Sequence, residues 1–422
     1  MIENVKTQVH DRFEQTVPTS EVDEASHMAH NALASDGPPD CSTVPSPKID
    51  RHAVASPGTA QSRLDPITGE WTIFAPHRGA RPNQFGSLRR MANKKKVTCP
   101  FCAGEEASTP SACWAARVDH EDRFVVFGDP TDVEALDWSV RVVPNKYPVI
   151  TENACGCNQG ASLTRNPSSR SHPLFQSRDL IGGHEVIIES PYHVQSLSEL
   201  DLAETKLLLF AYQQRLRFWR NQKGVKYISL FKNVGGDAGA SLQHSHSQLI
   251  ATDQIPNSVE TICERMRSHQ AKTGCCLQCD IIRAELKHRT RIVAQTDSLV
   301  AYCPYASRLP MLIRVTTKEH IDHFDDVPFA SLDELARLLQ RMTGWLESMI
   351  PQVAYNVLLH TRPPGATGSS EAFHWSLEFF PRISRVAGFE WSSDCMINTV
   401  LPEVATEKYR QFTAAEDPRR VL

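Results

Sequence analysis

Short runs rich in β-branched and aromatic residues recur along the chain and predict strands at 71–75, 123–127, 139–143, 184–189 and 227–233. Two longer stretches, 200–219 and 332–349, place apolar residues three and four apart and predict amphipathic helices. Strands followed by a helix and a further strand indicate an α+β architecture. Two polar stretches break this pattern. Residues 1–62 hold no Trp or Tyr and a single Phe13, too little apolar surface to offset the entropy of ordering, and are expected to be a disordered tail. Residues 152–179 are expected to be an inserted surface loop, whose Cys155 and Cys157 have no assigned role.

The order of elements occurs twice. Cys99-Pro-Phe-Cys102 is followed by a strand and His193, then a helix, a strand and His244. Cys276-Leu-Gln-Cys279 is followed by a strand and His320, a helix, a strand and His374. The histidines lie 51 residues apart in the first half and 54 in the second, which argues for an internal duplication. The halves are expected at 63–260 and 261–422.

This doubled pattern gives the cysteines a meaning. A Cys-x-x-Cys brings two thiolates to one side of a turn, and two histidines from distant strands complete the S2N2 shell that suits zinc. Taken alone the motif also fits a redox pair. Cys99, Cys102, His193 and His244 form the first expected metal site. Cys276, Cys279, His320 and His374 form the second, with His323 competing for the place of His320 and Cys275 adjacent. Four protein ligands leave no open position for substrate, so both metals are expected to be structural.

The stretch from Asn233 through Gly235, Gly236 and Gly239 to His244-Ser-His246-Ser-Gln248 is the expected reactive segment. On extended chain, alternate residues share a face, so His244, His246 and Gln248 point the same way. His244 is expected to bind metal while His246 presents one ring nitrogen to phosphorus and donates its other N–H to a carbonyl. Gln248 supplies an amide donor, and the glycines let backbone N–H groups approach phosphates. Imidazole is substantially neutral near pH 7, and its phosphoramidate can hand the group on.

Charge and composition narrow the partners. The formal charge of −4 gives no general reason to bind nucleic acid or an anionic membrane, and Lys94 to Lys96 alone make a poor nucleic-acid face. No apolar run reaches the roughly 18 residues of a spanning helix, and the first residues have no apolar signal core. Twelve cysteines among seventeen histidines fit metal sites in a reducing, cytoplasmic setting better than disulfides.

The segments from Arg63 through Arg78-Gly-Ala-Arg81-Pro, Cys99-Pro-Phe-Cys102, Val140-Arg-Val-Val-Pro-Asn145 and His244-Ser-His-Ser-Gln248, in that order, resemble galactose-1-phosphate uridylyltransferase of the histidine-triad superfamily. The resemblance runs from about Arg63 to beyond Pro402. It implies two tandem histidine-triad-like halves, each an antiparallel sheet with packed helices, in a homodimer. It also implies UMP transfer from UDP-glucose to a hexose 1-phosphate through a uridylyl-histidine on His246, steadied by Gln248. Arg78 and Arg81 match phosphate-contacting arginines; Asn145, Asn233 and Ser241 match positions around the nucleotide, and Glu390 one that meets sugar hydroxyls. The first metal is then zinc, the second zinc or iron. Ser376 stands where the duplication would put a second nucleophile, so one catalytic histidine per chain follows. The related ADP-glucose phosphorylase, passing AMP to inorganic phosphate, is the alternative, favoured by the altered stretch after Glu390. A non-catalytic, metal-stapled nucleotide binder is the reading from another class.

Overall fold

The computed structural model of the chain describes residues 14–17, 60–76, 99–128, 137–150, 174 and 180–416. Its strands are β1 (Glu14–Val17), β2 (Gln61–Leu64), β3 (Trp71–Phe74), β4 (Trp114–Val118), β5 (Phe124–Phe127), β6 (Val140–Pro144), β7 (Gly182–Ile188), β8 (Tyr227–Val234), β9 (His246–Thr252), β10 (Ile292–Gln295), β11 (Leu299–Tyr302), β12 (Ile313–Thr317), β13 (Tyr355–His360), β14 (Ser376–Pro381) and β15 (Met396–Asn398). The helices are α1 (Leu202–Arg220), α2 (Asn257–Thr273), α3 (Leu277–His288), α4 (Phe329–Met349), α5 (Gly388–Ser393) and α6 (Pro402–Glu416).

Twelve strands form one sheet in the order β1-β5-β4-β6-β7-β9-β8-β13-β14-β12-β11-β10, antiparallel throughout. The order mirrors itself about the β8–β13 pair. On one side lie β8, β9, β7, β6 and β4; on the other β13, β14, β12, β11 and β10. The two expected sheets are therefore one, joined by a ladder from Leu230↔Leu359 to Val234↔Tyr355. The chain thus shows the α+β, two-half architecture that the repeat implies. The boundary expected at residue 260 falls inside α2, so a helix and not a loose linker runs through it.

Helices α1 and α4, the counterparts of the repeat, pack together on one sheet face. Leu207, Leu208, Leu216 and Trp219 of α1 and Leu332, Leu335, Leu339 and Trp345 of α4 are buried with Leu230, Leu249, Val357, Leu377 and Phe379 of the sheet. Each such side chain contributes about 1.5–3 kcal/mol. Asp201 starts α1 with a capping box: its carboxylate accepts from the Glu204 N–H at 2.7 Å, and Glu204 accepts from the Asp201 N–H at 2.9 Å.

The five predicted strands and two predicted helices all occur. The 71–75 strand joins β2 and β15 in a separate three-stranded sheet. Helices α2 and α3 were not anticipated, and the second Cys-x-x-Cys opens α3, with Cys276 as its N-cap. Within the expected tail, residues 14–17 pair with β5 and residues 61 and 62 begin β2.

Candidate functional site

The turn before β4 and the strand ends after β7 and before β9 bring Cys99, Cys102, His193 and His244 together. One ligand atom from each lies within 4.8 Å of all the others. Cys99 Sγ is 3.5 Å from His244 Nδ1, and Cys102 Sγ is 3.5 Å from His193 Nδ1. His244 donates its Nε2–H to the Ser190 carbonyl at 2.9 Å, which leaves Nδ1 to face the thiols. Burial and the neighbouring Cys99 push the Cys102 thiol up to about 11. A dication set among the four groups would reverse that cost, so the donor set fits a metal.

His246 opens β9 two residues further on. It donates Nδ1–H to the His244 carbonyl at 2.7 Å, so Nε2 carries the free lone pair. Burial lowers its pKa and keeps the ring neutral. Phe101, between the two cysteines, meets the rings of His244 and His246 edge-on, with centroids 5.9 and 5.3 Å away. The Cys-x-x-Cys turn thus packs directly against His246.

The other face of the same strand is anchored by groups that the sequence did not reveal. Ser245 and Ser247 donate to the Glu189 carboxylate at 2.6 and 2.5 Å, and Tyr212 pairs with Ser247 at 2.6 Å. Lys232 donates to Glu189 at 2.5 Å and to Ser245 at 2.7 Å. Both charges are almost completely buried. Burial works against both and pulls the Lys232 ammonium down. It also raises the Glu189 carboxyl, but that ammonium and the hydroxyl donors more than offset it, holding Glu189 low and ionised. Alternation of side chains separates the jobs: serines lock the strand from behind, and His246 and Gln248 face the site.

The second cluster repeats the first. Cys279 Sγ lies 3.5 Å from His320 Nδ1 and 3.4 Å from His374 Nδ1, with Cys276 completing the group. Hydrogen bonds from Cys279, His320 and His374 hold the Cys276 thiol low, while Cys276 and burial push Cys279 far up. His320, and not His323, is the histidine in this group. His323 instead leads into a short turn and lies 3.8 Å from Asp322. Ser376 opens β14 as His246 opens β9, and Glu378 takes the place of Gln248. Glu378 is held by Arg314 at 2.6 Å and approached by His360 at 3.5 Å. A cavity of about 140 Å³ opens over Ser376, Glu378, Arg314 and His374. Asp65, Ile67, Tyr227 and Ile228 of the first half line it as well, and His246 does not.

The remaining expected residues divide. Asn145 and Gln248 both meet His184, at 3.0 and 2.9 Å, so they share the His246 face. Asn233 accepts from Asn356 Nδ2 at 2.7 Å across the β8–β13 seam, and Asn356 also donates to the Ala238 carbonyl at 3.1 Å. This ties the glycine loop to the second half. That loop turns through Gly235 (φ 82°) and Gly239 (φ 91°), conformations that favour glycine. Ser241 is exposed in the segment leading to β9. Glu390 lies on α5, where it accepts from the Ala387 N–H at 3.0 Å; no described contact joins it to either cluster. Arg78 and Arg81 lie outside the described residues. His184, Glu189, Lys232, Tyr212 and Asn356 escaped the sequence reading. His184 alone carried a usable signal, a histidine on a predicted strand.

Residues 168–420 match the family described as a domain of unknown function (DUF4921). The chain is 31% identical to ADP-glucose phosphorylase from Arabidopsis thaliana, over 83% of this chain and 92% of that protein. It is 25% identical to galactose-1-phosphate uridylyltransferase from Haemophilus influenzae, over 77% and 84%. The crystal structure of the Arabidopsis thaliana ADP-glucose phosphorylase with bound ADP-glucose superposes with a TM-score of 0.67 at 28% identity, covering 84% of this chain and 99% of that one. Repeat, site geometry and relatives agree: the chain belongs to the family of galactose-1-phosphate uridylyltransferase and ADP-glucose phosphorylase.

Proposed function

We propose that the chain transfers a nucleoside monophosphate by double displacement on His246. The observation that carries this is the fixed ring, with Nδ1–H on the His244 carbonyl and Nε2 left as nucleophile. The Nε2–P bond forms as a pyrophosphate P–O bond breaks, and the electron pair leaves on a sugar 1-phosphate. A second phosphate oxygen then attacks phosphorus and frees the histidine. Gln248 steadies the phosphoryl oxygens. Arg78 and Arg81 clamp phosphate bidentately, Asn145, Asn233 and Ser241 surround the nucleotide, and Glu390 serves the sugar. Cys99, Cys102, His193 and His244 hold zinc; Cys276, Cys279, His320 and His374 hold zinc or iron. In this reading the metals fasten the fold around the strand, in a cytoplasmic homodimer whose every chain comprises the 63–260 and 261–422 halves.

ADP-glucose as donor and inorganic phosphate as acceptor rank first, because the relative of that activity is 31% identical and matched over 92% of its length. The second reading is UDP-glucose with galactose 1-phosphate, supported by the motif set from Arg63 onward and by the uridylyltransferase relatives. The test is intact mass after incubation with each sugar nucleotide and no acceptor. An AMP-sized gain lost in His246→Ala supports the first reading, and a UMP-sized gain the second. No gain with either donor would refute both.

A further inference from the structure

We propose that His184 is a positioning residue that fixes which way round the Gln248 carboxamide lies, and so aims its NH2 at the phosphoryl group on His246. The proposal rests on the reading that His246 carries that group. The two ends of a carboxamide are nearly alike in shape and opposite in hydrogen bonding, so the surrounding network decides its orientation. Only the NH2 end can donate to a phosphoryl oxygen.

His184 and Gln248 face the same side from neighbouring strands: Gln248 is opposite Val186, and His184 lies two residues along β7 from there. The backbone N–H of Val149 donates to His184 Nδ1 at 3.3 Å. A backbone donor cannot exchange roles, so Nδ1 is the bare nitrogen and the neutral ring carries its proton on Nε2. Two side chains approach Nε2. Asn145 brings its Nδ2 to 3.0 Å, but its Oδ1 is already engaged by the Tyr147 N–H at 2.8 Å; the NH2 it turns to Nε2 is a second donor, so Asn145 neither accepts the Nε2 proton nor hydrogen-bonds to that nitrogen. The acceptor for the Nε2 proton is Gln248 Oε1, at 2.9 Å. With its carbonyl end held there, Gln248 turns its NH2 away from His184. His184 is itself buried, and that burial lowers its pKa, which keeps the ring in the neutral form this arrangement needs.

The chain of constraint is therefore Val149 N–H, His184, Gln248, phosphoryl oxygen. A histidine that merely filled space would impose no such order. His184→Leu keeps roughly the volume and removes the donor, while His184→Gln can bring an amide N–H near the position of Nε2.

The test is single-turnover loading of His246 with ADP-glucose or UDP-glucose, followed by intact mass. Loading by His184→Leu is expected to slow about 10- to 100-fold, at or below the loss from deleting one donor to a developing oxyanion, with KM changed less than about threefold. His184→Gln is expected to recover most of the rate. The double variant His184→Leu/Gln248→Ala is expected to be no slower than Gln248→Ala alone, because both act through one amide. The proposal is overturned if His184→Leu loads at the wild-type rate while Gln248→Ala is slow, or if the two losses multiply. If the wild type itself gains no mass, the nucleotidyl-histidine reading fails and takes the proposal with it. A measurement on the unmodified protein stands beside these: ¹⁵N shifts of the His184 ring, assigned against His184→Gln, are expected to show a bare Nδ1. A proton on Nδ1 would overturn the proposal whatever the variants do.

Discussion

Removing Lys232 while keeping Glu189 should be among the most damaging single changes away from the two Cys/His clusters. Nζ and Oε2 are 2.5 Å apart, with side-chain exposures of 1% and 0%. At an effective dielectric of about 20, unit charges at that separation attract by about 7 kcal/mol, against a desolvation cost of several kcal/mol for each ion. Lys232→Met fills similar space but leaves the carboxylate with hydroxyl donors only, and breaking one side of such a pair costs about 3–5 kcal/mol. The loss has a pH signature. Without its counter-ion, buried Glu189 titrates above its unfolded value of about 4.3. The folded state then binds the extra proton, so stability falls as pH rises through that window. Lys232→Met should be least harmful near pH 4 and worst near pH 8. Adding Glu189→Gln removes the stranded charge, and the double variant should return to within about 1–2 kcal/mol of wild type. Urea unfolding of the protein as purified, followed by circular dichroism at several pH values, measures all three. A cost below about 1 kcal/mol for Lys232→Met, or singles that add in the double variant, would refute the account of a desolvated ion pair.

Three further outcomes are expected. Cys99→Ala should lose one metal equivalent per chain by elemental analysis and melt at a lower temperature; unchanged metal content would remove Cys99 from the ligand set. Gly235→Ala forces a side chain into a left-handed conformation with its Cβ 2.9 Å from that of Ala354; it should cost about 1–2 kcal/mol and slow loading of His246, and an unchanged melt would count against the loop geometry. Burial pushes His323 down to about 4, against about 6.5 when unfolded. Its contribution is therefore intact above pH 6.5 and is lost as pH falls from there toward 4, at most about 3 kcal/mol at ~1.4 kcal/mol per unit. His323→Gln should flatten that limb relative to wild type, and matching limbs would show that His323 titrates normally.

The sequence was legible where local pattern and chemistry coincided. Alternation and β-branching marked β7 and β8, helical spacing marked α1 and α4, and the Cys-x-x-Cys and histidine repeat marked both clusters, down to the counterpart positions of His246 and Ser376. It was opaque where partners are remote. Glu189 and Lys232 are charged residues on strands, which locally suggest solvent, and only the approach of β7, β8 and β9 buries them together. His320 and His323 both had reachable spacing, and the choice depends on the backbone before the short turn at Phe324. Helix α2 has a weakly apolar stripe, since only Cys263 and Met266 of its seventeen residues are buried, so its periodicity barely rises above the polar background. That the two sheets fuse was also hidden, because nothing within β8 announces β13 as its neighbour.

The β8–β13 junction has a consequence for what each half could be by itself. Cut away from the other, either half would expose a whole strand whose N–H and C=O groups have lost their partners, and such an edge recruits another chain. The strand best shaped to fill it is the like strand of an identical copy, because the junction is already a near-symmetric meeting of two equivalent strands. An isolated half is therefore expected to pair with a second copy of itself across the edge that the intact chain fills with β8 and β13.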